Sequence, residues 1–134
     1  MKILSVFLFV FSIYIFGHVS GTGIRIVNEL KSHKNLWMRC YSKNDVIGPK
    51  IIPVGYDYVN SFRANIWGTT RFMCTLKQRP NYRHYQNFTA FKQYTAYDNG
   101  ADWDWRARED GIYLKKEGGL KKSVDMNKVY DWIN

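Results

Sequence analysis

The chain is poor in the residues from which metal centres and most active sites are assembled. It has two cysteines, Cys40 and Cys74, and three histidines, His18, His33 and His84. Two cysteines are too few for a zinc site of the cysteine-rich kind, and the histidines stand isolated and do not complete one. There is no G-x-S-x-G, no H-E-x-x-H and no glycine-rich phosphate loop. Nothing in the spacing or surroundings of His33 and His84 makes them the acid–base pair of a ribonuclease-like enzyme. Fixed-period repeats and low-complexity linkers are also missing. No long segment carries a clean helical stripe, which disfavours an α/β fold. These absences argue against an enzyme, a cofactor and a metal.

Long apolar runs are missing too, with one exception. After Lys2 the residues Ile3–Phe16 are almost wholly apolar, and Val19-Ser20-Gly21 follow as a small-residue exit. A basic start, a short apolar core and small residues make the layout of a secretory signal peptide. The run is shorter than the ~20 residues a membrane-spanning helix needs. We therefore expect cleavage near Gly21–Thr22. Residues 1–21 are read as the signal and residues 22–134 as one secreted domain without an integral membrane segment. In an oxidising compartment Cys40 and Cys74 can pair. Closing a loop of that length is worth ~3–4 kcal/mol when unstrained. Two free buried thiols are the other reading. A cysteine nucleophile would need such a free thiol, which export disfavours.

The formal charge is +9, falling to +8 once Lys2 is removed. Outside the cell that balance favours an anionic wall polymer, an anionic membrane surface or an acidic receptor face. Nucleic acid is not expected. Beyond the doublets Lys115-Lys116 and Lys121-Lys122 the cations are scattered singly, with no basic run or groove-entering helix.

Alternation dominates the rest. Ile24–Val27 reads as a short strand ending at Asn28. Leu36–Tyr41 alternates with Leu36, Met38 and Cys40 on one side. Ser42–Asp45 is turn material, Gly48-Pro49 punctuates, and Pro53 argues against a central strand. Tyr56–Phe62 and Thr69–Leu76 follow, the second placing Thr70, Phe72, Cys74 and Leu76 on one face. Both cysteines thus fall on the apolar phase of their strands. Residues 78–87 read as a long polar loop, Phe91–Tyr97 is strand-like, and Asp98-Asn99-Gly100 is a turn. Trp103–Ala107 and Ile112–Leu114 flank a hairpin turn at Glu109-Asp110-Gly111, Glu117-Gly118-Gly119 breaks the chain, and Val124–Trp132 reads as a last strand. Short strands between such turns predict an all-β domain, a small antiparallel β-sandwich or barrel.

Three local features carry chemistry. Asn87-Phe88-Thr89 is an N-glycosylation acceptor sequence. Asp98, Asp102, Asp104, Glu109 and Asp110 form an acidic island. Calcium could be held by such oxygens, but Asp102 and Asp104 alternate with Trp103 and Trp105 as on the exposed face of an ordinary strand. Five tryptophans and ten tyrosines permit sugar stacking and equally serve a small β core.

Four segments in order resemble the plant self-incompatibility protein homologues, a family of small secreted proteins. They are Ile26–Leu30, Leu36–Gly48, Phe62–Cys74 and Trp105–Leu114, spread over nearly the whole chain after residue 21. The resemblance implies a β-sandwich and a secreted ligand for a cell-surface receptor protein, as in the founding members' rejection of self pollen. A cationic module for wall glycan or membrane lipid, defensive in role, is the alternative. It also implies recognition through loops, here Ser42–Gly48 and Lys77–Asn87. Their candidate residues are Ser42, Lys43, Asn44, Asp45, Lys77, Arg79, Asn81, Arg83 and His84. The family usually has four cysteines. This chain keeps the two that match the earlier pair, and has Trp103 where one of the later two is expected. Cys40 and Cys74 then have no other intrachain partner, so one disulfide is expected.

Overall fold

The computed structural model describes residues 22–62, 70–94, 100–119 and 122–134. The signal segment 1–21, Lys121, and Asp98-Asn99 of the expected turn lie outside the described residues. Nine strands are described: β1 Thr22–Glu29, β2 Leu36–Tyr41, β3 Val46–Ile52, β4 Asp57–Phe62, β5 Arg71–Gln78, β6 Tyr85–Lys92, β7 Asp102–Arg108, β8 Gly111–Glu117 and β9 Asn127–Tyr130. They form two sheets, β4-β1-β7-β8-β9 and β3-β2-β5-β6. The expected all-β sandwich is present.

The alternating residues of both sheets meet in the middle. Leu36, Met38, Cys40, Phe72, Cys74, Leu76 and Phe88 come from the four-stranded sheet, and Ile24, Ile26, Trp103, Trp105, Ala107 and Ile112 from the five-stranded one; all are buried. Trp105 is the largest of the fully buried side chains. Its ring centroid lies 4.5 Å from that of Phe88, and its indole N–H donates to the Ala90 carbonyl of the opposite sheet at 2.9 Å. The indole thus fills the space between the sheets and satisfies its one polar atom there.

Cys40 and Cys74 are bonded to each other. They are directly opposed across the antiparallel β2–β5 pair, with Cα atoms 4.1 Å apart. The staple is therefore within one sheet and does not join the two.

The structure departs from the sequence reading at several points; one is that β6 ends at Lys92, so Gln93 and Tyr94 of the strand expected over Phe91–Tyr97 lie outside it. The sandwich is antiparallel except for β1 and β7, which pair in parallel from Gly23↔Asp102 to Glu29↔Arg108. Such a pair needs a long crossover, and β2 to β6 supply it. Gly48-Pro49 lies inside β3, not before it. A bulge in the β2–β3 register accommodates it, Gly48 has φ 86°, and a Cβ there would sit 2.8 Å from the Met38 carbonyl oxygen. Proline is tolerated because β3 is an edge strand. The loop expected over 78–87 shrinks to 79–84, because Lys77 and Tyr85 are already partners in the β5–β6 ladder. The last strand is only Asn127–Tyr130.

Candidate recognition site

The two loops singled out from the sequence are built differently and do not come together. Ser42–Asp45 closes the β2–β3 hairpin. The Ser42 amide donates to the Asp45 carbonyl at 2.8 Å, and the Asp45 amide donates to Ser42 Oγ at 3.2 Å. Lys43, Asn44 and Asp45 are exposed on it. Beside it lies an open cavity of about 630 Å³, lined by this turn and by Phe62, Thr70, Arg71 and Phe72.

The second loop joins β5 to β6. The Arg83 amide donates to Asn81 Oδ1 at 3.0 Å, an Asx turn that holds the short polar segment. The Arg79 amide donates to the Asn35 carbonyl at 3.0 Å. Arg79 and His84 are half-buried, while Asn81 and Arg83 are exposed. Lys77 is not in this loop but on β5, and the acceptor Asn87 is not in it either but on β6. Both were misplaced because their polar neighbours hid a regular ladder. Since β2 and β5 run antiparallel, Tyr41 meets Met73 at one end and Leu36 meets Gln78 at the other. The two loops therefore stand at opposite ends of the same sheet.

Between them lies the outer face of that sheet. Its cross-strand rows are Trp37–Lys77–Tyr85, Arg39–Thr75–Asn87 and Tyr41–Met73–Thr89. Lys77 Nζ lies 4.8 Å from the Trp37 ring centroid and 5.9 Å from that of Tyr82. Arg79 also covers Tyr82, at 5.6 Å. These contacts hold cations against ring faces. Asn87 Oδ1 accepts from Thr75 Oγ1 at 2.5 Å; Asn87 is exposed, whereas the next residue, Phe88, is buried. The outward phase of β2 and β5 was readable in the alternation. What the one-dimensional pattern did not show is that these residues sit side by side.

The opposite sheet is electrostatically self-contained. Arg106 Nε reaches Asp104 at 2.8 Å, Arg108 Nε reaches Glu29 at 2.8 Å, and Arg25 Nε reaches Asp57 at 2.8 Å. The hydrogen bond to Asp104 is the main reason that Arg106 holds its proton more tightly than usual. Burial, then Glu117 and Asp104, raise the Asp102 carboxyl above its ordinary value. Asp104 is thus clasped by arginine rather than standing free on an exposed face. Asp98 of the acidic island lies outside the described residues. Among the described residues no group of three or more His, Cys, Asp or Glu could hold a metal ion.

The Glu109-Asp110-Gly111 turn does more than reverse the chain. Glu109 accepts from the Lys31 amide at 2.7 Å and from Lys34 Nζ at 2.8 Å, and Lys34 Nζ also donates to Gln78 Oε1 at 3.0 Å. The Lys34 hydrogen bond is the main cause that lowers the Glu109 carboxyl below its ordinary 4.5. Gly111 is required by close approach, since a Cβ there would meet the Tyr130 carbonyl oxygen at 2.6 Å. The turn ties the five-stranded sheet to the 31–34 turn and to β5.

Comparison with known proteins agrees with this architecture. Residues 23–132 match the family described as plant self-incompatibility protein S1. S-protein homolog 17 of Arabidopsis thaliana is 67% identical, with 100% of each chain covered. S-protein homolog 16 of the same plant is 69% identical, again over 100% of each. A solved structure of SPH (self-incompatibility protein homologue) proteins, described as a widespread family of small, highly stable, secreted proteins from plants, superposes with a TM-score of 0.66. It is 22% identical, over 84% of this chain and 95% of that one, and shows the same fold. By the extent of the family match and the identity of these relatives, the chain belongs to the plant self-incompatibility protein S1 family.

Proposed function

We propose that the chain is exported, loses residues 1–21, and acts as a secreted protein ligand for a cell-surface receptor in cell–cell recognition. Family membership over residues 23–132 carries this reading, and the family is non-enzymatic. Among the described residues no helix is long and apolar enough to cross a membrane. The two loops offer the receptor contacts, Ser42–Asp45 at one end of the sheet and Arg79–His84 at the other. Recognition of pollen by pistil is the process attached to the family name; stigma-confined expression would favour it here, and root or seed expression would leave only general signalling.

The direct test is binding of tagged secreted protein to plant membranes. Saturable binding that survives high salt is expected, because exposed charge contacts alone are screened. Charge reversal at Arg79 and Arg83 should weaken it more than reversal at Lys122. Equal losses at both places would remove the loop from the reading. Asn87 carries an N-glycan in a fraction of the secreted protein on this reading, and a mass shift removed by N-glycanase and by Asn87→Gln checks it.

A further inference from the structure

The cations of this protein are distributed unevenly in space. Segments 36–52 and 71–92, which hold the whole four-stranded sheet and its hairpin loops, carry Arg39, Lys43, Lys50, Arg71, Lys77, Arg79, Arg83 and Lys92 against the single carboxylate Asp45. Among the described residues, no salt bridge involves any of these cations; the ion pairs lie on the five-stranded sheet and at its ends. One face of the sandwich is therefore neutralised internally and the other is not.

The unneutralised face is also shaped. Trp37, Arg39, Thr75, Lys77, Tyr82, Tyr85 and Asn87 line a shallow groove of about 470 Å³ across β2, β5 and β6. Lys77 is directly opposite Trp37, and Arg39 directly opposite Thr75, so the two cations are diagonal neighbours about 7–8 Å apart at the backbone. Each cation has a ring beside it: Lys77 has Trp37 and Tyr82, and Arg39 lies 5.8 Å from the Tyr41 centroid. Thr75 and Asn87 add neutral hydrogen-bonding groups between them.

We propose that this outer face binds a linear acidic polysaccharide of the uronate type. Carboxylates repeating along a sugar chain match cations repeating across the strands, with Arg39 and Lys77 giving charge-assisted hydrogen bonds. The rings beside them accept the apolar faces of pyranose units. An acidic peptide fits less well. The backbone donors and acceptors of β2 and β5 are already paired within the sheet, so a peptide lying across them finds no main chain to pair with. The groove has nonetheless just the mix of rings and cations that a uronate uses. An N-glycan on Asn87 would lie across the groove, so the face is open in the unglycosylated form.

The test is binding of the secreted Thr89→Ala protein, which lacks the acceptor sequence and keeps Asn87 as a neutral amide, to oligogalacturonate at physiological ionic strength. Arg39→Gln with Lys77→Gln should weaken binding about tenfold or more, whereas Lys115→Gln with Lys128→Gln, an equal loss of charge on the other sheet, should leave it within about twofold. Tyr82→Ala, an exposed ring, should weaken it without changing its salt dependence. Methyl-esterified oligogalacturonate, which keeps the rings and loses the charge, should not compete. Polyglutamate of matched charge should bind about tenfold more weakly. Equal losses from both charge pairs, no measurable binding, or polyglutamate binding as tightly as the uronate would each overturn the proposal, the last in favour of an acidic protein partner. Receptor binding is not used in any arm, so either reading can fail alone.

Discussion

Asn28 is fully buried at the end of β1 and holds three separate pieces of backbone. Its Nδ2 donates to the Ile52 carbonyl at 2.8 Å and to the Lys34 carbonyl at 3.0 Å, and its Oδ1 accepts from the Leu30 amide at 2.9 Å. The 31–34 turn and the end of β3 are thereby tied to the five-stranded sheet. Asn28→Ala leaves the buried Leu30 amide without its Asn28 partner, at about 1–3 kcal/mol, and removes one bond to the Ile52 carbonyl, whose residue stays paired with Leu36 in the β2–β3 ladder, at about 0.5–1.5 kcal/mol. The Lys34 carbonyl is only partly buried and can reach water, so it adds little. The expected loss is about 2–4 kcal/mol, a large share of the 5–15 kcal/mol that holds a small domain folded. Asn28→Leu roughly keeps the volume and removes the same bonds, so it should cost about as much. The assay is equilibrium urea unfolding followed by tryptophan fluorescence with the disulfide intact. Exposed Asn44→Ala serves as control and should stay within about 0.5 kcal/mol. If Asn28→Leu proves neutral while Asn28→Ala does not, volume and not hydrogen bonding holds this corner, and the argument fails.

Exported protein should weigh two hydrogens less than the fully reduced chain, and the double variant Cys40→Ser, Cys74→Ser should lose ~3–4 kcal/mol in urea unfolding; alkylatable thiols in the native protein would contradict this. N-terminal sequencing of the secreted product should begin at or near Thr22, where β1 begins; a product still starting at Met1 would remove the signal reading. Glu109 is ionised and hydrogen-bonded in the folded state, so its carboxyl lies below its ordinary 4.5 and the unfolded chain binds the proton first. Its stabilisation is therefore full above 4.5 and lost as pH falls through the depressed value. The melting-temperature gap between wild type and Glu109→Gln should close over that interval, and a gap that persists unchanged into stronger acid would refute the charge as its source.

Strand identity was legible wherever one face met water and the other met the core. Leu36–Tyr41 was read with the bounds that β2 has, because period-2 burial is written directly into its side chains. Asp102–Arg108 was nearly as plain, with Trp103, Trp105 and Ala107 turned inward. Reading failed where local residue preference and tertiary pairing disagreed. Gly48-Pro49 signals a turn by itself, yet an edge position and a bulge absorb it into β3. Tyr85–Asn87 is polar enough to pass for loop, yet each residue has a β5 partner.

The sequence by itself determined the all-β character, the inward phase of both cysteines and the turn at Ser42–Asp45, because these depend on alternation and on turn chemistry a few residues long. Tertiary structure alone decided that the disulfide lies within one sheet, that β1 runs parallel to β7, and that Glu109 and Asn28 act as cross-ties. It alone separated the two loops to opposite ends of the sheet and left one face with cations and rings and, among the described residues, no salt bridge to neutralise them. Each of those outcomes is set by which strands become neighbours, and neighbours in space are chosen by the burial of the whole core rather than by any local run of residues.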